Sequence, residues 1–333
     1  MEKLRFWFIN SRPISLPQSL MPAVVAITLA MKYSDFKWYL ALLCFLGVGF
    51  AHLSLNLFDD LFDYLNAEQG DRTALAREGF RARTVKCPDL QNGTVNPWQW
   101  LFASCIFGFI ACCFGLPVLI IRGWKILVVL VIVAVLGLFY SAKPLKLSYN
   151  GFGELIIGLI FGPALGIGIC LGCAGEFHIG DVIVSICWGL LVVNILYVHS
   201  ILDYAADMKA GKKTLAWLVH GENNKYIALA FITFAPFVLI AVSVISGTLS
   251  AWYLLGFAVL PWSIALFLSM LKFKKEPFGK IEKKAWYGNF KNWEPIKQAG
   301  LDWFMLRWYL AQKIDTIFCI LCIIAAVVGI IIR

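Results

Sequence analysis

Residues 52–72 read HLSLNLFDDLFDYLNAEQGDR, and the fold turns on how this stretch is understood. Its left half continues an apolar run long enough to enter a bilayer. Its right half sets Asp59, Asp60 and Asp63 where that run ends. Carboxylates so placed repel one another. They also face the negative pole of a helix dipole and resist transfer into a membrane. On a helix, residues three and four apart share a face, so Asn56, Asp59, Asp60 and Asp63 form one cluster over neighbouring turns. Such a cluster is tolerable when a cation holds it together. Aspartate and asparagine oxygens are hard ligands suited to Mg²⁺.

The whole chain agrees with a membrane setting. It has 333 residues, 60% hydrophobic and 15% charged, with a mean hydropathy of +0.78. A soluble domain carries about 25% charged residues. The chain therefore reads as an all-α polytopic membrane protein forming a single domain over 1–333. Runs of about 20 apolar residues predict nine spans, at about 14–32, 38–58, 98–120, 124–141, 153–174, 179–200, 226–247, 250–271 and 314–332. The start is basic and then apolar, like a signal peptide. Its apolar run reaches span length and AMKYSD offers no small-residue cleavage site, so it is expected to be a retained first helix.

Counting Lys and Arg orients the bundle. With the N-terminus inside, 24 basic residues lie on the inner side and 5 on the outer. This asymmetry predicts a cytoplasmic N-terminus. It also accounts for the net charge of +9 without a nucleic-acid partner. The ten cysteines lie almost all in apolar runs, where they read as small packing residues. The outer loops are short, and the charged segments at about 59–97, 141–152 and 201–225 all fall on the inner face.

A second acidic motif follows the sixth predicted span, in HSILDYAADMKAGKKTLA, residues 199–216. Asp203 and Asp207 stand one turn apart, and Lys209, Lys212 and Lys213 follow. Carboxylates beside lysines are the mixture a metal-bound diphosphate needs: Mg²⁺ bridges acid to phosphate, and lysine takes up the remaining charge. The segment FYSAKPLKLSYNGFGE, 139–154, adds Tyr140, Lys143, Lys146 and Glu154 on the same side. Lys143 and Tyr140 are candidates for a site on that face. Positive-inside topology alone would also place Lys143 and Lys146 there. Arg12 in SRPISLP is a further candidate for the site. His199 reads as a buried, hydrogen-bonded histidine rather than a base. KFKKEPFGKIEKK, 272–284, reads as a polybasic segment drawn to anionic headgroups.

These motifs resemble the UbiA superfamily of intramembrane aromatic prenyltransferases, and within it the 1,4-dihydroxy-2-naphthoate branch of menaquinone biosynthesis. RPISLPQSLMPAVVAITLA looks like that branch's opening, NLFDDLFDY like its first motif and FGELIIGLIFGP like its fifth helix. DYAADMKAGKKTLAWLVHG looks like its second motif and is the most specific match. The resemblance covers roughly residues 10 to 260. It implies a bundle of nine helices in a bacterial cytoplasmic membrane, with the active site facing the cytoplasm. It implies Mg²⁺ as cofactor, and polyprenyl diphosphate and an aromatic acceptor as substrates, with no obligate protein partner. By it Asp60, Asp63, Asp203, Asp207, Lys143 and Tyr140 are catalytic, Lys143 contacting diphosphate and Tyr140 orienting the acceptor or lining the cation's path, and the four aspartates hold metal together with Asn56 and Asp59. Arg12, Lys86, Lys209, Lys212 and Lys213 would bind diphosphate.

The chain departs from the family pattern in places. Asp59 stands where Asn is usual, and Glu68 or Asp71 must serve as the motif's last acid. Lys86 in KCPDLQNG replaces an arginine. His199 and Leu202 stand where Asn and Arg are usual. Two registers of the first motif remain open, Asp59 with Asp63 or Asn56 with Asp60. Another acceptor (4-hydroxybenzoate, a haem precursor or a glycerol phosphate lipid) and an ion-coupled carrier are the competing functions. The carrier is disfavoured by acids at helix ends rather than at the midplane.

Overall fold

A computed structural model describes residues 2–65, 88–209, 211–277, 279, 281–290 and 292–332. The apolar runs become helices because hydrocarbon offers the backbone no outside partner. In order they are α1 (Glu2–Asn10), α2 (Pro17–Ala30), α3 (Trp38–Leu65), α4 (Pro97–Arg122), α5 (Trp124–Leu138), α6 (Gly153–Ala174), α7 (Ile179–Leu202), α8 (Glu222–Ile245), α9 (Ala251–Lys275) and α10 (Asp302–Ile331). Among the described residues seven helices, α3, α4 and α6–α10, are long and apolar enough to cross a membrane. The expected first and fourth spans are the shorter α2 and α5, of 14 and 15 residues. The chain is an integral membrane protein.

α7 is the central helix: about two thirds of its apolar stretch is buried, whereas most of α4 is left to lipid. Trp188, Leu191 and Tyr197 on α7 are fully buried, in one core with residues of α2, α6, α8 and α10. α6 approaches α7 backbone to backbone. Gly158, Gly162 and Gly166 recur every four residues, and a Cβ on Gly162 would sit 2.8 Å from Gly189 Cα. Without a hydrophobic drive between helices in lipid, such small-residue strips are what permits close packing. α6 is bent there by a π-turn over Ile160–Ala164 that contains Pro163. The Phe161 carbonyl at the bend accepts the Trp188 indole N–H at 2.7 Å.

α3 and α4 lie along one another in close contact and share polar contacts: Trp100 Nε1 donates to Leu57 O at 2.9 Å and Ser54 Oγ to Ser104 O at 2.8 Å. α10 begins at Asp302, well before the expected 314. Its first turns carry charge that a hydropathy window rejects. Arg307 is buried there with its guanidinium on the Ser269 and Trp303 carbonyls.

Two sets of contacts define two ends of the bundle. At one, Lys32 and Tyr33 engage Asp181 at the start of α7. There Arg122 joins Asp35 to the last carbonyls of α6, Gly172 and Cys173. The Arg122 hydrogen bond holds the Asp35 carboxyl below its usual range. At the other end lie Arg12, the last turns of α3, residues 139–154 and residues 199–215. Both acidic motifs are there.

Candidate active site

The first motif occupies the last turns of α3, where the helix continues past its apolar run to Leu65. Asp60 and Asp63 are 4% and 2% exposed, although both are acids. Arg12 reaches them from the turn between α1 and α2, in a left-handed backbone conformation (φ 58°, ψ 56°). Its Nη2 lies 3.0 Å from Asp59 Oδ2 and 3.1 Å from Asn56 Oδ1, and its Nη1 3.4 Å from Asp60 Oδ1. Burial works against the guanidinium charge. The Asp60 and Asp59 carboxylates outweigh it and hold the group more firmly protonated than usual. The Asn56 amide is used at both ends: its Nδ2 donates to Ser11 O at 3.0 Å and to Ser15 Oγ at 2.9 Å.

The segment after α5 closes over this cluster. Ser141 Oγ donates to Asp59 Oδ1 at 2.6 Å, and the Tyr149 hydroxyl donates to Asp63. Both registers of the first motif are thus engaged: Asn56, Asp59 and Asp60 by Arg12, and Asp59 and Asp63 by hydroxyl donors. Burial first, then the charges of Asp59, Glu154 and Asp63, push the Tyr140 phenol well above its ordinary range. Tyr140 therefore stands as a neutral hydroxyl between the first motif and Glu154.

The second motif straddles the end of α7. Asp203 caps that helix and Asp207 lies on the short helix Tyr204–Lys209, both 3–4% exposed. The Asp207 N–H donates to Asp203 O at 2.8 Å, so the two acids keep helical spacing across the boundary. His199 is part-exposed, with Nε2 at 2.9 Å from Asp203 Oδ2. Glu154 joins the two halves: its carboxylate accepts the Ser200 hydroxyl and the Leu215 N–H, the latter at 3.1 Å. The Gly151 N–H donates to Lys213 O at 2.9 Å. One segment, 139–154, therefore touches both acidic motifs.

The basic candidates are less concentrated. Lys143, Lys209 and Lys213 are exposed, and Lys212 is half-buried. Lys213 Nζ lies 4.7 Å from the Trp217 ring centre, and Lys146 Nζ 5.5 Å from that of Tyr149. Lys86, Glu68 and Asp71 lie outside the described residues. Sequence reasoning passed over Ser141, Tyr149 and Ser15. The first two stand in the segment singled out for Tyr140, where a hydroxyl-bearing residue beside a buried acid was the available signal.

Among the described residues no three His, Cys, Asp or Glu side chains are grouped so as to hold a metal ion by themselves. The donors are nonetheless of one chemistry, carboxylate oxygens in i, i+4 pairs at buried helix ends. That set fits a hard cation sharing its shell with phosphate oxygens.

Known proteins resemble the chain over most of its length. The profile of the UbiA prenyltransferase family matches residues 19–290. A 1,4-dihydroxy-2-naphthoate octaprenyltransferase of Bacillus subtilis is 26% identical over 256 residues, covering 75% of this chain and 77% of the relative. A UbiA prenyltransferase domain-containing protein of Dictyostelium discoideum is 28% identical, covering 70% and 69%. Among solved structures, one of a digeranylgeranylglyceryl phosphate synthase superposes with a TM-score of 0.63 at 19% identity, over 98% and 99% of the two chains. A UbiA homologue from Archaeoglobus fulgidus bound to GPP and Mg²⁺ superposes at 0.59 and 16% identity, over 93% and 99%.

Proposed function

Because the chain belongs to the UbiA prenyltransferase family, a family of transferase enzymes, we propose that it moves a polyprenyl group from its diphosphate to 1,4-dihydroxy-2-naphthoate. The observation that carries this reading is the segment 139–154, which bonds Asp59 and Asp63 on one side and the second motif's loop on the other. The name of the Bacillus subtilis relative supports the acceptor, and the ligands of the Archaeoglobus structure support Mg²⁺. The basic-residue count supports a cytoplasmic site and N-terminus. In this reading α2 and α5 cross with the other seven helices.

In the reaction the bond from prenyl C1 to the diphosphate oxygen breaks, and the oxygen keeps the electron pair. The acceptor ring then bonds C1 and releases a proton. Mg²⁺, when bound, neutralises the departing diphosphate. Asp60, Asp63, Asp203 and Asp207 would hold it, with Asn56 and Asp59 at the edge of the first set. Arg12, Lys86, Lys143, Lys209, Lys212 and Lys213 are the cations within reach in sequence of the remaining phosphate charge. Tyr140 can donate a hydrogen bond to a substrate oxygen. The prenyl tail lies between helices and extends into lipid, which places the enzyme in the bilayer.

The test incubates membranes containing the protein with Mg²⁺, radiolabelled polyprenyl diphosphate and a panel of acceptors. The panel is 1,4-dihydroxy-2-naphthoate, 4-hydroxybenzoate, a haem precursor and a glycerol phosphate lipid. A prenylated naphthoate product is expected. It should disappear with EDTA and in Asp60→Ala and Asp207→Ala. Label appearing on another acceptor replaces the substrate assignment, and no Mg²⁺-dependent product on any acceptor overturns the reading.

A further inference from the structure

One turn before Asn56 on the same face of α3 stands His52, 5% exposed. Its Nδ1 is 2.6 Å from Ser19 Oγ and its Nε2 3.2 Å from Ser15 Oγ. Both serines lie at the start of the α2 segment, so the imidazole is a wedge between α2 and α3. Its ring also packs against Phe161 at the bend of α6, centroids 4.9 Å apart.

The protons of this network can be assigned. Ser15 Oγ has three neighbours: Arg12 O at 2.8 Å, Asn56 Nδ2 at 2.9 Å and His52 Nε2. A hydroxyl gives one hydrogen and accepts two. Arg12 O can only accept, so it takes the Ser15 hydrogen. The Asn56 amide is oriented by its other partners, because Ser11 O must receive Nδ2 and Arg12 must donate to Oδ1. Asn56 Nδ2 is therefore a donor to Ser15, and the remaining place is filled by His52 Nε2–H. In a neutral ring Nδ1 is then the acceptor, and the Ser19 hydroxyl donates to it rather than to Leu16 O at 3.1 Å.

This fixes what the histidine does. Arg12 has a left-handed backbone that no glycine relieves. Such a conformation persists only where its surroundings over-determine it. Ser15 supplies that constraint twice, through its N–H at 3.0 Å and its hydroxyl, both on Arg12 O. With that turn set, the guanidinium lands on Asp59 and Asp60. We infer that His52 is a positioning residue: as the Nε2–H tautomer it holds Ser15, and through Ser15 it aims Arg12 across the first acidic motif.

Two measurements test this. The first needs no activity: nitrogen NMR of histidine-labelled protein in detergent, with His52→Gln identifying the resonances. The Nε2–H tautomer is expected for His52, becoming a mixture in Ser15→Ala. An Nδ1–H tautomer or an imidazolium overturns the inference. The second measurement rests on the proposed function. In His52→Leu the KM for polyprenyl diphosphate should rise about tenfold, with kcat changed less than about twofold. His52→Gln, which keeps a donor toward Ser15, should recover most of the loss. A merely structural histidine would lower the amount of active enzyme and leave KM alone, and that outcome overturns the inference. If the wild type transfers no prenyl group, the function is wrong, and the tautomer alone decides the role of His52.

Discussion

Tyr149 and Tyr140 stand nine residues apart and are expected to behave differently. Tyr149 donates to Asp63, an acid 2% exposed. Removing the hydroxyl leaves that oxygen a donor short in a site where water has little access. Losing a hydrogen bond to a buried charged group costs about 1.5–3 kcal/mol. Tyr149→Phe should therefore lower kcat/KM for the diphosphate by roughly 10–100-fold, with a raised Mg²⁺ requirement in a metal titration. Tyr140 is shifted upward by burial and by Asp59, Glu154 and Asp63. A phenol whose folded pKa is raised contributes stability that is present below the unfolded value and is lost as pH climbs through the folded one. The ordinary tyrosine pKa is about 10, so Tyr140 stays protonated throughout neutral pH. A pH–rate profile between about 6 and 9 should keep its shape in Tyr140→Phe, while its height falls. A limb that vanishes with Tyr140→Phe would show the phenol ionising in the reaction. At this scale the acids were legible from spacing, because carboxylates at the end of an apolar run are conspicuous. Their donors were not: Ser141 and Tyr149 are ordinary residues until the chain folds them onto Asp59 and Asp63.

Helices followed from the apolar runs with little ambiguity, because hydrocarbon permits few other backbone states. Where they end is a matter of neighbours. α10 keeps its hydrogen bonds from Asp302 because Arg307 finds carbonyls on Ser269 and Trp303, and a hydropathy window cannot see such partners. The bend in α6 had its signal in Pro163, but its use, a bare backbone face against Gly189, shows only in three dimensions. That contact makes a pointed prediction about glycine. A side chain at Gly162 meets Gly189 Cα at 2.8 Å, whereas one at Gly115 on α4 meets nothing within 4 Å. Gly162→Val should destabilise by about 1–3 kcal/mol, read as a lower thermal midpoint in detergent. Gly115→Ala should stabilise by roughly 0.5–1 kcal/mol, since it removes only backbone freedom from the unfolded chain. Equal effects at the two positions would deny that α6 and α7 pack backbone to backbone.

The two ends of the bundle carry the question of how the whole molecule sits in the membrane. α2 has 14 residues and α5 has 15, about 21–22 Å at 1.5 Å per residue, against a hydrocarbon core of about 30 Å. Length alone would keep both out of a list of spans, yet each runs between the two ends. The chain enters α2 from Arg12, which bonds Asp59, and leaves it at Lys32 and Tyr33, which bond Asp181. It enters α5 beside Arg122, which bonds Asp35 and Cys173, and leaves it at Ser141, which bonds Asp59. The 3₁₀ turn at Pro13–Ser15 and the residues flanking each helix would make up the missing length, or the bilayer thins locally. Ser34 and Asn150 should then lie on opposite faces of the membrane. The test is to introduce Ser34→Cys and Asn150→Cys singly and apply a membrane-impermeant maleimide to intact cells. With the N-terminus cytoplasmic, Ser34→Cys should react at once and Asn150→Cys only after permeabilisation, each above the level of the unmodified chain. The reverse pattern would mean that the molecule is turned over or that α2 fails to cross while the N-terminus stays cytoplasmic. Both sites reacting from one side would mean that an odd number of the helices between them fails to cross, with α5 the first suspect because α3 and α4 are long enough to span.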